Sequence, residues 1–502
     1  MTEQQHSSTP VPNDTSIIIV GTGFGGLGMA MRLKEKGHDD FVILERAQDV
    51  GGAWRDNDYP GVACDVPSHL YSFSFLPNPN WSRVYSPGGE IHEYLRHCAR
   101  EAGLYPHIHF GAEMMAANWD DETGLWTVKT PLGVWRAPYL ITAAGVLADA
   151  HLPEIPGLAE FSGKTFHSAR WDHSVDLEGK RIGVVGSGAS AIQIVPEMAK
   201  VASELVVFQR TAPYMIPRLD REYSKAEKRL FARDPSTIDD LRSEIFWFGE
   251  YAFAQRRAVP AFLAEAREMA LGLLKEQVAD EDLRAKLTPD YELGCKRVLI
   301  SSAYYPTLTQ DHVTLETSAL ARTEGGTAIA ASGNTYDLDV LVFATGFEVT
   351  QPPFAQRIFG REGISLTEHW QRGMKACNST SVAGFPNLFI IVGPNTGLGH
   401  HTMVYIIEAQ IDYILGALDY ARETGAKVLE ARPEAEDGYT DRLRARAKGT
   451  VWLDGGCQSW YLDPTSGDLT VLWPDFAYAF RDENAQFEPE AYLTRTQTAV
   501  PA

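Results

Sequence analysis

Two stretches of the chain carry the same succession of apolar and polar positions. Residues 16–20 (SIIIV) read as a short buried strand, 21–28 as a glycine-rich turn, 27–36 as a helix by their spacing, and 41–44 as a second strand. The pattern returns at 181–185 (RIGVV), followed by a glycine turn at 186–190, a helix over 191–199 and a strand over 204–208. Each is a β-α-β unit, and together they form the one internal duplication visible in the sequence.

Between and beyond these units the pattern changes. Residues 51–87 are rich in Gly, Pro, Asn and aromatics and predict a long functional loop region. A helix is expected over 91–102 and strands at 126–129, 139–142, 313–315, 340–344 and 388–392. Residues 402–418 predict a long apolar-periodic helix. Residues 220–290 are charged and helical and read as an insertion. Its most apolar stretch, Ile245 to Phe248 with Tyr251, Phe253, Phe262 and Leu263, predicts a core helix, although the same residues suit a tunnel wall or a membrane-surface patch. Tyr71, Phe73 and Phe75 alternate as a half-buried strand would, or as the lining of a cofactor site. The tail from 451 holds Trp452, Trp460 and Trp473 among turn residues and is expected to pack.

Composition narrows the function classes. With 502 residues the chain is long enough for two to four domains, and 44% hydrophobic with 22% charged residues is ordinary for a globular enzyme. A net charge of -21 argues against nucleic acid or anionic membrane as partner. Five cysteines, an odd count without a CxxC pair, argue against a disulfide framework, a zinc ribbon and a dithiol centre, and suggest a reducing, cytoplasmic setting. No metal site is expected, since His400 and His401 lack neighbouring acids. Residues 1–15 read as a polar disordered tail rather than a signal peptide, and no apolar run is long enough to span a membrane.

The glycine turns carry the chemistry. Gly21-Thr22-Gly23-Phe24-Gly25-Gly26 follows a strand and opens a helix, the context in which GxGxxG binds a dinucleotide. Gly21 permits the turn, Gly23 lets the backbone approach a pyrophosphate, and Gly26 lets helix and strand pack closely. The helix N-terminus offers amides and a positive dipole end. Glu45, 24 residues after Gly21, is placed to accept the ribose hydroxyls. The second turn, Gly186-Ser187-Gly188-Ala189-Ser190-Ala191, is the GxGxxA variant. At the same spacing it has Arg210 and Thr211 where an acid would stand. A carboxylate there would repel a 2′-phosphate, whereas Arg pairs with it. The first site therefore suits a nucleotide with a free 2′-hydroxyl, FAD, and the second suits NADPH.

The fold class expected is α/β, with two Rossmann-like dinucleotide-binding domains and a helical insertion in the NADP domain. The FAD domain would comprise 1–146 and 352–502, the latter with a C-terminal loop. The NADP domain would comprise 147–212 and 294–351, and the insertion 213–293. The small-residue segments 142–145 (TAAG) and 343–347 (FATGF) would join the two.

Residues 161–172 read FSGKTFHSARWD, and 51–65 match GGxWxxxxYPGxxxD through Gly51, Gly52, Trp54, Tyr59, Pro60, Gly61 and Asp65. With GCKR, ATGF, GPNTGLGH and GCQSWY, these motifs resemble the Baeyer–Villiger monooxygenases from about residue 16 to about 480. Related flavin-containing and N-hydroxylating monooxygenases share the glycine motifs, but Trp171, Asp172, Asp65 and Arg297 favour the Baeyer–Villiger branch.

The resemblance implies a cycle in which NADPH reduces FAD, dioxygen forms a peroxyflavin, and the peroxide anion converts a ketone to an ester or lactone. Thioethers are a second substrate class. The alternative is a flavin monooxygenase acting on nitrogen or sulfur. Arg297 matches the family's catalytic arginine and Asp65 the carboxylate that positions it. Lys296 matches a 2′-phosphate contact beside Arg210, and Trp460 a nucleotide contact on a mobile C-terminal loop. Gly52, Trp54, Tyr71, Ser187, Gly188, Ala189, Ser190 and Gln193 complete the cofactor-binding set. His167 reads better as a hydrogen-bonded hinge residue than as a base. Residues 393–397 either bring the positive end of the following helix toward the flavin or form a plain loop. Residues 374–379 (MKACNS) depart from the glycine-containing turn of many relatives, which leaves the choice of substrate open, as is the oligomeric state.

Overall fold

A computed structural model describes residues 12–496. The polar tail expected over 1–15 lies outside it up to residue 11, whereas Asn13 and Asp14 pair in parallel with Trp135 and Arg136.

Two five-stranded parallel sheets carry the molecule. In the first, the order is Leu388–Ile390, Tyr139–Thr142, Ile17–Val20, Phe41–Glu45, Ile108–Phe110. In the second it is Val313–Glu316, Glu204–Phe208, Arg181–Val185, Val340–Phe343, Lys164–His167. The strand that precedes each glycine turn is central and buried, as a near-continuous Val/Ile run requires when both faces are covered. The duplication extends further than the sequence suggests. Each unit also contains an antiparallel three-stranded meander before the strand flanking its central one: Ala116–Asp120, Leu125–Thr130 and Gly133–Ala137 in the first, Leu320–Glu324, Thr327–Ala330 and Thr335–Asp337 in the second.

Strand Leu388–Ile390 and helix Met403–Thr424 return the chain to the first unit, where the helix packs on Phe24–Glu35. The approach is close, because a Cβ on Gly28 would sit 2.8 Å from the Phe73 ring and 3.0 Å from Ile411. Ser379 and Asn378, in the segment without glycine, adopt positive φ of 52° and 49°. That backbone is costly for non-glycine residues. It is held by Cys377 N donating to Ser381 O at 2.7 Å and Gln410 Nε2 donating to Ser379 O at 2.9 Å.

The insertion is four helices, Lys225–Arg233, Ser236–Arg256, Pro260–Gln277 and Glu281–Lys286. A parallel ladder of Met215–Ile216 with Leu299–Ile300 closes its stem. The residues before Leu299 are thereby pinned beside those before Met215.

Three expectations are corrected. No strand forms at 71–75. Phe73 is instead buried against Phe24 and Phe75, because the Gly- and Pro-rich loop around it folds as successive turns. The stretch 245–263 is not one core helix, because the chain breaks at 257–259 between Ser236–Arg256 and Pro260–Gln277. Phe253 on the first helix and Leu263 on the second are buried, but Trp247 is 57% and Phe248 76% exposed, since the apolar residues of the first helix run around it rather than along one stripe. The cysteine count misled: Cys295 and Cys457 form a disulfide across 162 residues. The other three, Cys64, Cys98 and Cys377, are free and buried. Spacing arguments detect neighbours in sequence, and this pair is made neighbours only by the fold. The tail packs as expected through Trp452 and Trp473, while Trp460 stays 49% exposed. No described helix is long and apolar enough to cross a membrane.

Candidate active site

Both glycine turns have the geometry of a phosphate cradle. At Gly21 (φ 99°) a Cβ would lie 2.6 Å from Ala143 O, and at Gly186 (φ 126°) 2.4 Å from Ala344 O, so each turn lies against the small-residue segment that follows the neighbouring strand. A Cβ on Gly26 would overlap Gly21 O at 1.9 Å, which forces glycine where helix meets strand. The middle glycines are open. Nothing lies within 4 Å of a Cβ built on Gly188, and only Gly52 Cα, at 3.8 Å, near one on Gly23. The helices beginning at Phe24 and Ala191 have no side-chain N-cap bond, leaving first-turn amides for a ligand. These observations fit a pyrophosphate at each turn.

Around the first turn, Glu45 is buried at the end of its strand. Its carboxylate accepts from Thr22 N at 3.0 Å, Thr22 Oγ1 at 2.5 Å and Ala47 N at 2.8 Å, and pairs with Arg55 at 3.0 Å. Phe24 contributes its backbone to the helix start, while its ring is core, packed on Tyr71 and Phe73. Trp54 Nε1 donates to Tyr71 Oη at 3.1 Å. Gln193 reaches across from the second unit: it accepts from Tyr59 Oη at 2.9 Å and donates to Ala63 O at 2.9 Å, clamping the 59–63 loop to the helix Ala191–Met198.

Around the second turn, Ser187 Oγ donates to Thr211 O at 2.9 Å. Gly188 and Ala189 are exposed, and Ser190 is half-buried. Lys296 comes from the far side of the insertion to stand near Arg210. Burial and then Arg210 push the Lys296 ammonium pKa down, with Asp290 the opposing charge. The ammonium also lies 5.2 Å over the Tyr291 ring. Two like charges thus act on each other here, on a strongly acidic protein.

Arg297 follows Lys296 and crosses to the first unit. Nε and Nη2 both donate to Asp65 Oδ2, at 2.8 and 2.6 Å. Nη1 makes no hydrogen bond to the described residues, and the side chain keeps 34% of its surface accessible. Asp65 beside it, against the effect of burial, holds the guanidinium above its already high range. It stays charged at any working pH.

Two residues of this neighbourhood were missed in the sequence. Arg256, from the insertion, is buried, and burial pushes its pKa down to about 10. Its Nη2 donates to Gly399 O at 3.0 Å. Tyr461 is buried within charge reach of Arg297, Arg256 and Asp65, and burial raises its phenol pKa. Tyr461 was legible as part of SWY. Arg256 had no signal, since a charged residue near a helix end reads as solvated. His167 is buried, with Nδ1 accepting from Ala169 N at 3.0 Å, a capping role in keeping with a structural histidine.

Comparison with known proteins finds a "Baeyer-Villiger monooxygenase" of Streptomyces coelicolor that is 45% identical over 480 residues, covering 95% of this chain and 92% of the relative. The chain belongs to the Baeyer–Villiger monooxygenase family. A second family member, from Pseudomonas aeruginosa, is 40% identical over 504 residues, covering 98% of this chain and 95% of that one. The flavin-binding monooxygenase-like family model matches residues 14–238, which span the first glycine turn, Asp65, the second turn and Arg210. Among solved structures, an oxidised steroid monooxygenase bound to NADP is similar with a TM-score of 0.85 and 30% identity, covering 96% of this chain and 99% of that one. The Arg297–Asp65 pair thus lies in a Baeyer–Villiger monooxygenase chain at a point where both nucleotide-binding units contribute.

Proposed function

We propose that this protein is an FAD-bearing, NADPH- and dioxygen-dependent monooxygenase that converts ketones to esters or lactones, with Arg297 as its catalytic cation. The observation that carries the reading is the Arg297–Asp65 pair, formed between the NADP unit and the FAD unit, with Nη1 left for a ligand. Family membership and the cradles at Gly21–Gly26 and Gly186–Ala191 support the two cofactors.

When bound, FAD reduced by NADPH supplies the activated oxygen. The chain's own residues bind, orient and shield. Gly23, Gly52 and the amides after Phe24 would hold the FAD pyrophosphate, with Glu45 beside the ribose. Trp54 and Tyr71, hydrogen-bonded to each other, would lie beside the bound FAD. Gly188, Ala189 and Ser190 would hold the NADPH pyrophosphate, and Arg210, Thr211 and Lys296 its 2′-phosphate. Gln193 supports the junction between the two. Asp65 takes two of the Arg297 donors on one oxygen, so the remaining Nη1 points its charge elsewhere in a fixed direction. A fixed cation stabilises negative charge developing on oxygen without reorganisation at the moment of reaction. Trp460, half exposed beside Tyr461, would cover the coenzyme and keep water out.

Thioethers fit as a second substrate class, because a soft nucleophile does not need the oxygen in anionic form. Arg297→Ala separates the two chemistries. Ester formation from a ketone panel, measured by product detection alongside NADPH consumption, is expected to disappear. Ester yield at the wild-type level in that variant would remove the catalytic role of Arg297.

A further inference from the structure

The Cys295–Cys457 bond joins two segments that each carry part of the proposed site. Cys295 is fully buried and precedes Lys296 and Arg297. Cys457 is half-buried and precedes Trp460 and Tyr461. The Cα atoms are 6.1 Å apart. The contact around the bond is tight. Glu292 N donates to Gly455 O at 2.8 Å, and a Cβ on Gly455 would sit 2.8 Å from Cys295 Cβ and 3.0 Å from its Sγ. Only glycine lets the two loops meet there. On the other side of the 291–297 turn, Gly294, at φ 89°, lies against Arg256 and Val451. Beyond the bond, Trp460 packs edge-on to Tyr461 with ring centroids 4.5 Å apart, and Tyr461 is within charge reach of Arg297 and Asp65.

We infer that the Cys295–Cys457 disulfide is a positioning element for the reaction: it fastens the Trp460–Tyr461 segment to the Arg297 loop, and a dithiol reductant releases it. This rests on the function proposed above. Trp460 is half exposed and packs on the buried ring of Tyr461, so the reach it would have over a bound coenzyme depends on what anchors the segment. The anchor is three residues away and covalent. A covalent bond three residues from Trp460 limits how far that segment can move from the Arg297 loop while the bond is intact. Release follows ordinary exchange chemistry. A dithiol thiolate attacks Sγ of Cys457, the half-buried sulfur, and the S–S bond breaks with Cys295 leaving as thiolate. The second thiol of the reductant then displaces Cys457, giving a cyclic disulfide and two protein thiols after proton uptake. The reductant loses two electrons and the protein gains them. Cys64, Cys98 and Cys377 are already free, so this bond is the one such target among the described residues.

The test uses the full-length holoprotein. Thiol titration after denaturation without reductant should find three free thiols, rising to five with dithiothreitol, and peptide mapping should join the peptides carrying residues 295 and 457. Five free thiols before reduction would overturn the inference. Dithiothreitol treatment, and separately Cys457→Ser, should raise hydrogen exchange across 455–463. Both should raise the KM for NADPH and the hydrogen peroxide released per NADPH several-fold, with a much smaller change in the rate of flavin bleaching at saturating NADPH. Reoxidation with a diazene oxidant should restore the treated wild type and leave Cys457→Ser unchanged. Unaltered exchange and unaltered peroxide release on breaking the bond would reduce it to a structural tie and sink the positioning role. Because hydrogen exchange does not depend on turnover, a wild type whose flavin NADPH fails to bleach would count against the proposed function, while the exchange result would still judge the tether.

Discussion

At the scale of single residues, the decisive feature is a pair of cations brought together against their own repulsion. Burial and Arg210 lower the pKa of Lys296, and on the proposed function a 2′-phosphate bound beside both would relieve that cost. Charge-assisted hydrogen bonds of this kind contribute about 1.5–3 kcal/mol each. Arg210→Ala and Lys296→Ala should therefore raise the KM for NADPH roughly ten- to a hundred-fold and leave that for NADH nearly unchanged. Steady-state kinetics with both coenzymes checks this, and equal effects on the two would remove the 2′-phosphate assignment. Arg210 is proposed from the missing acid at its spacing, and Lys296 from its motif. Arg256 was not legible, because its burial is a property of the turns at Gly294 and Gly399 that close over it, and neither turn is near it in sequence.

At the scale of elements, each central strand runs directly into its glycine turn, while strand ends elsewhere fasten the rest of the unit. In the second unit, Glu316 ends its strand and fastens the meander to the sheet. It accepts from Ser318 N at 2.9 Å, Asn334 Nδ2 at 2.8 Å and Tyr336 Oη at 2.8 Å. Burial pushes its pKa up, but these bonds pull it down further, to about 2 from an ordinary 4.5. The folded value lies below the unfolded one, so the stabilisation is fully present above pH 4.5 and fades as pH falls toward 2. It amounts to something on the order of 3 kcal/mol. Glu316→Gln should lower the melting temperature at pH 7, and the gap to wild type should narrow below pH 4.5 when melting is followed by circular dichroism. A gap independent of pH would show that the carboxylate charge is not what holds the meander. The helices and strands of both units were readable from apolar period and glycine turns. The loop at 71–75 was not, since alternation of aromatics over so few residues is shared by a strand and by a turn that buries every second ring.

At the scale of the whole molecule, the reaction requires groups from separate units to meet. Arg297 lies 232 residues from Asp65 along the chain, and the Gln193 clamp reaches back 130 residues to Ala63. Ligands bound at such junctions should stabilise the assembly by mass action, by about 2.7 kcal/mol at a hundredfold excess over Kd. Thermal melting should show FAD-stripped protein below the holoprotein, with recovery on adding FAD. NADP+ should add a further rise that is absent from Arg210→Ala. A wild type whose melting temperature ignores NADP+ would argue against the second cradle.

The sequence by itself determined the two β-α-β units, the glycines that open them and the charge difference at their second strand ends, because each of these is written in adjacent residues obeying local sterics and period. Tertiary structure alone decided the duplicated meanders, the disulfide, the burial of Arg256 and the freedom of Arg297 Nη1. These depend on which distant segments come within a few ångströms of one another, and neither composition nor spacing encodes that distance.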